Sequence, residues 1–430
     1  LALDNLARTA GFPDPQRLIW AMETLDAQEK MAQIRPLVFG ETIITLVFDA
    51  VGRASLKAEK NGKPLADVPA GAKKTPNYTE LNAVKKSLNE QHGRIRKGFE
   101  EAMVRGDIFE KNELEKLAGH PVIRPILSSL VFILDKKAGF FGENGLENTV
   151  GEMLEIPQNA RLRIAHPADF WEMKNWSDFQ HAVFEKNLVQ PFKQVFREFY
   201  PPTAEEIREN SLKTERFSGH KVQKAQAFML LKTRGWTTDN CWGLQKVHHS
   251  EKLVATLRSD ADWFNFGFPE TPVLGEICFS DRKTGEPIKL AAVPVRLFSE
   301  TLRDIDLIVS VAHVGGVDPE ASLSTVDFRR VLAEETARLF KLTNVEFRTK
   351  NVLVHGKMGD YSIHLGSGLA SKMPGGALHL VASTAAERGR IFLPFADEDP
   401  RTAEILSKIL LLSKDSEIKD PTILSQILGE

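Results

Sequence analysis

The sequence predicts an α+β fold, in which a helix-rich N-terminal region with β-hairpins precedes a C-terminal unit with a mixed or antiparallel sheet packed against helices. A long helical pattern over residues 79–105 marks the first region. Four short strand-like runs, separated by glycine-containing turns between residues 351 and 395, mark the second. Residues 390–412 show the pattern of a strand, an acidic turn and a largely buried helix.

The composition is typical of a globular protein that folds in water. The chain has 430 residues, of which 42% are hydrophobic and 27% are charged, and its formal net charge is −2. This balance gives no support for nucleic-acid binding. With Cys241 and Cys278 as the two cysteines, we expect neither a disulfide framework nor a zinc-finger site, and a reducing, cytoplasmic compartment. The apolar runs are too short to span a bilayer.

We expect four regions along the chain. Residues 1–66 form an N-terminal helix and a β-hairpin, residues 77–245 are mainly helical, residues 246–292 are a β-rich connector, and residues 293–430 are a C-terminal α/β unit. The chain starts Leu-Ala-Leu-Asp, without an initiator Met or a signal-like segment. This start predicts a piece of a longer protein.

Aspartate–proline pairs mark helix starts. Aspartate supplies a capping oxygen, and proline has no amide hydrogen to leave unpaired in the first turn. A helix is therefore predicted at or shortly after each pair: Asp14-Pro15, Asp318-Pro319, Asp399-Pro400 and Asp420-Pro421.

The N-terminal two thirds contain further predicted elements. Residues 15–24 are a helix, residues 42–49 and 54–59 are a hairpin, and the helix over 79–105 carries basic residues diluted by glutamates. That dilution favours a solvated helix face over a stripe that binds phosphate backbones. Residues 190–200 are amphipathic, which favours core packing over an aromatic recognition surface. The adjacent His248 and His249 are expected at the surface.

The C-terminal unit contains a candidate phosphate site. Residues 294–303 are predicted to form a helix and residues 305–312 a buried central strand. His313, Gly315 and Gly316 follow that run, and a helix with a capping-box-like start at Ser324 comes next. Strand, glycine turn and helix can hold a phosphate on backbone amides. The alternative is a tight turn without a ligand.

Imidazoles and carboxylates are candidates for a metal or polar site. Strands over 351–355, 361–365 and 377–381 each carry a histidine, and these are His355, His364 and His379. They could meet on one face, although three unrelated histidines are the preferred interpretation. Asp304 and Asp306 begin the predicted central strand, and Asp397, Glu398 and Asp399 end another. Such carboxylates could bind Mg²⁺ or Mn²⁺, or simply cap a helix. The candidates retained are Asp306, His364, Asp397 and Asp399.

Several phrases of the chain resemble the C-terminal half of the MolR-like proteins. These large bacterial proteins are named for a proposed role in regulating molybdate metabolism and often carry a WGR domain. The resemblance implies no catalytic residues, and the WGR association implies nucleic-acid or ADP-ribose biology. The similar segments are residues 2–15, 190–200, 304–322, 361–368 and 388–412.

Two classes of function remain after these observations. The preferred one is a non-catalytic binding or scaffold module of a larger bacterial regulatory, repair or defence protein, since no sharp catalytic motif is present. Its partners would be upstream domains of the same protein, or other proteins of the assembly. The alternative is a phosphate-ligand site, for a nucleotide or ADP-ribose, or a metal-dependent phosphoryl-transfer enzyme. Whether the chain is an enzyme, and which cofactor beyond a divalent metal it would use, stay open.

Overall fold

A computed structural model describes residues 2–238, 243–249, 251–260, 263, 270–315, 323–380 and 391–429. The chain forms two compact units. Unit 1 comprises residues 1–195 and 394–397, and unit 2 comprises residues 196–393 and 398–430. Both contain α-helices and antiparallel sheets, so the α+β class is confirmed. In the described residues, no helix is both long enough and apolar enough to cross a membrane. The predicted division into four regions stays a prediction.

Unit 1 contains two antiparallel sheets with the strand orders β1-β2-β3-β4 and β5-β10-β6-β7-β8-β9. Its helices are α1 Ala2–Thr9, α2 Pro15–Gln33, α3 Pro76–Arg105, α4 Lys111–Ala118, α5 Ile123–Ser129, α6 Pro167–Met173 and α7 Trp176–Glu185. Its strands are β1 Leu37–Phe39, β2 Thr42–Phe48, β3 Ala54–Lys60, β4 Lys63–Pro64, β5 Phe109–Glu110, β6 Val131–Leu134, β7 Lys137–Gly142, β8 Gly145–Glu147, β9 Met153–Leu154 and β10 Arg161–Ile164.

The core of unit 1 is organised around aromatic rings from α2, α3 and β5. Trp20 stacks on Phe99 with a centroid distance of 4.5 Å, and Phe109 lies 6.0 Å from Trp20. The guanidinium of Arg17 lies 4.5 Å above the Phe109 ring. It also pairs with three carboxylates, those of Asp14, Asp107 and Glu113. Because Arg17 is buried, this cluster ties the start of α2 to the chain that follows α3.

The predicted hairpin and the long helix of unit 1 are confirmed, while α1 was not predicted. β2 and β3 pair in antiparallel register from Thr42↔Lys60 to Phe48↔Ala54. The turn before β3 contains Gly52, whose φ is +85°, and a Cβ there would lie 2.5 Å from the Val122 carbonyl oxygen. Basic residues on α3 pair with acids, as Arg94 does with Glu23. These pairs are what a solvated helix face would show.

Residues 190–200 do not form the regular amphipathic element that their spacing suggests, although their core packing is confirmed. The segment is irregular, and Phe192, Val195, Phe196 and Phe199 are buried. In unit 1, the buried amide of Gln194 replaces helical hydrogen bonds: it bonds the carbonyl oxygens of Val131 at 2.8 Å and Ala165 at 2.9 Å. A buried loop is stable only when its polar groups are paired in this way.

Unit 2 contains two antiparallel sheets with the strand orders β11-β15-β14-β13-β12, to which β16 adds beside β15, and β17-β18-β19-β20-β21. Its helices are α8 Ala204–Arg208, α9 Lys224–Lys232, α10 Val295–Ala312, α11 Leu323–Leu339, α12 Pro400–Ser413 and α13 Pro421–Leu428. Its strands are β11 Lys213–Thr214, β12 Trp236–Thr238, β13 Gly243–His248, β14 Leu253–Ser259, β15 Leu274–Asp281, β16 Pro287–Ile288, β17 Val345–Phe347, β18 Asn351–His355, β19 Asp360–His364, β20 Ala370–Lys372 and β21 Ala377–Leu378.

The predicted central strand over residues 305–312 is wrong, because these residues are the second half of α10. Ile305, Ile308, Val309 and Ala312 continue the helical spacing of the buried residues before them. An apolar run of eight residues fits a buried strand or a buried helix equally well, and the preceding helix decides between them.

The antiparallel meander is confirmed, with β17 added at its edge. β20, which was not predicted, lies between β19 and β21 and pairs with both. The strand predicted to end at Phe395 is wrong over the described residues 391–395, which form no strand. Their β-type pairing is limited to an isolated bridge between Gln190 and Phe395. Asp14, Asp399 and Asp420 cap helices as predicted, whereas Asp318-Pro319 lies outside the described residues. The surface prediction holds for His249 and is wrong for His248, which is buried, and burial lowers the pKa of its ring to about 4.

Candidate functional site

The candidate phosphate residues His313 and Gly315 lie directly after α10, beside a histidine that the sequence did not single out. His313 forms an antiparallel bridge with Val222, so the register places Gly315 opposite His220. The rings of His220 and His313 lie 5.6 Å apart, centroid to centroid, at an interplanar angle of 74°. Burial lowers the pKa of His220, and the neighbouring His313 adds to this effect.

This placement removes the structural basis of the phosphate prediction. His313 follows the last residue of a helix rather than a strand. The C-terminus of a helix carries partial negative charge, which disfavours a phosphate. Gly316 lies outside the described residues. A phosphate role for His313, Gly315 and Gly316 therefore stays a prediction, and the strand expected before them is a helix.

Asp306 lies in a charged cluster of unit 2. Burial raises the pKa of its carboxyl to about 6, and the nearby hydroxyl of Tyr200 acts in the opposite direction. The charge of Glu198 raises this pKa, while those of Arg303 and Arg329 lower it. Arg303 Nε also donates to Glu198 Oε2 at 2.8 Å. A carboxyl that takes up a proton near pH 6 can act as a proton donor or acceptor.

Arg329 on α11 joins two of the predicted residues and was missed by the sequence analysis. Its guanidinium lies 4.0 Å from Asp399, and its charge acts on the pKa of Asp306. It donates to Thr402 Oγ1 at 3.0 Å and to the carbonyl oxygen of Gly366 at 2.7 Å. The signal available in the sequence was its position on the buried face of α11, three residues after Val326.

The remaining candidate residues take part in separate local structures. In unit 2, Asp399 caps α12 through the Thr402 amide at 2.9 Å, and His364 Nδ1 accepts the Ser367 amide at 3.1 Å. In unit 1, the carboxylate of Asp397 accepts bonds from Arg96 and from the Lys193 amide. These are contacts that stabilise turns and a helix start.

The other histidines and carboxylates of unit 2 have partners of their own. His355 pairs with Asp360, and the backbone amide of His379 bonds Gln426. Asp304 accepts from Trp236 Nε1 at 2.8 Å and from Lys246 Nζ at 2.7 Å. Across the described part of the chain, no group of three or more His, Cys, Asp or Glu is arranged to hold a metal ion.

Comparisons with known proteins identify two regions of the chain. No curated protein and no solved structure matches it. Residues 326–427, which hold β17–β21 and α12, match the family described as Domain of unknown function (DUF7737). Residues 62–236 match the family described as Domain of unknown function (DUF4132). The chain is therefore similar to two families of unknown function, one over each of these regions.

Proposed function

We propose that this chain is a non-catalytic binding module that docks another polypeptide through the apolar side chains of α1 and α2. The observation that carries the proposal is the exposure of these side chains. On α1, Leu3 is 57% and Leu6 is 54% exposed, and on α2, Met22 is 59% and Leu25 is 68% exposed. Each pair is spaced three residues apart and so lies on one side of its helix.

The two helices suit the docking of a helical segment. α1 packs against α2, while Ala7 is the residue of α1 that is buried. A partner helix with apolar residues at matching spacing would cover the leucines and methionine, as in complexes where a helix lies in an apolar groove. Burying a fully exposed large apolar side chain contributes about 1.5–3 kcal/mol. These four side chains are already partly covered, so each contributes less, and part of the gain offsets the freedom lost on association.

The polar candidates support a binding role by being used within the fold. Asp397 and Asp399 bind backbone amides and an arginine each. His364 caps a turn. A catalytic group needs a lone pair or proton aimed at its substrate, whereas these side chains form hydrogen bonds within the protein.

The wider setting of the module is also part of this proposal. Its partner would belong to a bacterial, cytoplasmic assembly of the MolR-like kind, with a role in regulation, repair or defence. Upstream domains of the same longer protein, including a WGR domain, are the first partners to consider. The family resemblance over residues 2–15, 190–200 and 361–368 supports this setting.

Site-specific photo-crosslinking tests the docking role. Benzoylphenylalanine replaces Leu6 in one sample and Lys97 in another, because the side chain of Lys97 is 69% exposed on α3 and serves as the matched control. After irradiation in cells, mass spectrometry identifies the crosslinked polypeptide. We expect a defined product from position 6 and not from position 97, and we expect Leu3→Glu to abolish it.

Equal products from both positions, or a product from position 6 that survives Leu3→Glu, would contradict docking through α1. Circular dichroism of Leu3→Glu distinguishes this outcome from unfolding of the helix.

A further inference from the structure

We propose that Asn61 is a site of spontaneous deamidation, and that its isoaspartyl product releases β4 from β3. The chain has two asparagine–glycine steps, Asn61-Gly62 and Asn144-Gly145. The first forms the turn between β3 and β4, and the second ends the turn between β7 and β8. In such a step, the glycine has no Cβ to hinder reaction of its amide with the asparagine side chain. The inference does not depend on docking through α1 and α2.

The reaction uses the chain and water alone. The Gly62 amide gives its proton to solvent, and its nitrogen bonds Cγ of Asn61. The side-chain nitrogen takes a proton from solvent and leaves as ammonia, so a five-membered imide remains. Water then opens this ring at either carbonyl carbon, which gives aspartate or isoaspartate. The isoaspartyl form carries the main chain through Cγ and therefore has one additional backbone carbon.

The turn that holds Asn61 is exposed and has few bonds to keep it closed. Asn61 and Gly62 have φ values of +51° and +74°, as in a two-residue hairpin turn. Ring closure requires Asn61 to leave this left-handed region, so the turn must open first. Residues 61–67 are all exposed, and β4 is two residues long, of which Pro64 has no amide hydrogen to donate. Such a segment opens locally at a small cost in free energy.

Asn144 is equally exposed, but its glycine is held within a sheet. Gly145 is buried and is the first residue of β8, where it pairs with Gly142. A Cβ at Gly145 would overlap the carbonyl oxygen of Leu154, so the glycine backbone packs closely against β9. β8 also pairs with β9 on its other side. Opening this step would disturb three strands, so Asn144 should react more slowly than Asn61.

The additional backbone carbon would end the pairing of β4 with β3. The two-residue turn sets the register Lys60↔Lys63, because loop length fixes the register of a hairpin. Beyond this pair, the Leu65 amide donates to the Ala58 carbonyl oxygen at 2.8 Å. We expect this bond to be lost when the turn is lengthened.

Peptide mapping of the whole chain after prolonged incubation at mildly alkaline pH tests the site. Mass spectrometry quantifies conversion at both asparagines in the wild type, Asn61→Gln and the matched control Asn144→Gln, since glutamine forms the corresponding ring far more slowly. We expect conversion at Asn61 to be at least about tenfold faster than at Asn144 in the folded wild type. The control should convert at Asn61 like the wild type. In urea, where both glycine amides are exposed, the two sites should convert at similar rates.

Equal rates at the two sites of the folded protein, or conversion of Asn61 in urea alone, would overturn the proposed site. Hydrogen exchange tests the structural consequence. The Leu65 amide should exchange faster in incubated wild type than in incubated Asn61→Gln. Unchanged exchange in a sample rich in isoaspartate would overturn the release of β4.

Discussion

Replacing Asp306 with Asn should make the protein more stable at neutral pH, although it removes a half-buried carboxylate. Burial raises the pKa of Asp306 from 3.8 to about 6, so the folded state binds this proton more tightly than the unfolded state. The stability contributed by the protonated carboxyl is present at about pH 4 and is lost as the pH rises through 6. The difference corresponds to about 3 kcal/mol.

Asparagine has the shape of the protonated acid and cannot ionise, so Asp306→Asn removes this pH dependence. We expect the variant to exceed the wild type by up to about 3 kcal/mol at pH 7.5 and to match it near pH 4. Imperfect amide contacts to Tyr200 would reduce the gain at both pH values alike. Urea unfolding followed by circular dichroism, from pH 4 to pH 8, measures the difference between the two proteins.

Asp327→Asn is the matched control, because Asp327 is exposed on α11. Its stability difference from the wild type should stay constant across this pH range. A difference in unfolding free energy between Asp306→Asn and the wild type that is the same at pH 4 and pH 7.5 would refute this explanation, whether the variant is the more or the less stable protein.

Three further variants test the structural contacts by thermal or urea unfolding. Arg17→Ala should lower the free energy of unfolding by about 3 kcal/mol, because it leaves three carboxylates together without their buried cation. The control Arg105→Ala removes a cation whose side chain is 40% exposed and should lower it by less than about 1 kcal/mol. Equal losses would contradict the central role of the buried guanidinium. Asp399→Ala should cost about 1–2 kcal/mol through loss of the α12 cap, and the exposed cap variant Asp420→Ala should cost less, so the reverse order would be inconsistent with the contact to the buried arginine. Gly52→Ala should lower the free energy of unfolding by more than about 2 kcal/mol. A left-handed backbone costs a non-glycine residue about 1–2 kcal/mol, and the new Cβ would also lie 2.5 Å from a carbonyl oxygen. An unchanged melting temperature would refute that backbone contact.

Features of the fold that depend on neighbouring residues could be predicted from the sequence. The caps at Asp14, Asp399 and Asp420 need only an aspartate before a helical pattern. The hairpin of β2 and β3 and the meander of unit 2 follow from alternation and from turns containing glycine. Such signals lie within a few residues of the structure they specify.

Features that depend on distant residues could not be predicted. The end of α10 was mistaken for a strand because a short apolar run does not reveal its period. Residues 190–200 have helical spacing, but the amide of Gln194 satisfies strand and loop carbonyls instead. These contacts join parts of the chain that the sequence gives no reason to pair.

The candidate site shows the same limit. The sequence predicts Asp306 and Asp399 as candidates for a metal or polar site, and this stays a prediction, but the arginine that acts on both carboxylates is on α11. His313 was singled out without His220, its neighbour across an antiparallel bridge. Residue type identified the groups, and only tertiary structure could supply their partners.

Asp397 and Asp399 are engaged in contacts within the fold, and we expect neither of them nor Asp306 to bind a nucleotide. A thermal-shift panel of the whole chain with Mg²⁺–ATP, ADP-ribose and molybdate tests it most directly. A ligand at 100 times its dissociation constant adds about 2.7 kcal/mol, which is readily detected. We predict no shift with any of the three. A shift with Mg²⁺–ATP that is lost in a folded Asp306→Asn variant would contradict this expectation and place a nucleotide site in unit 2.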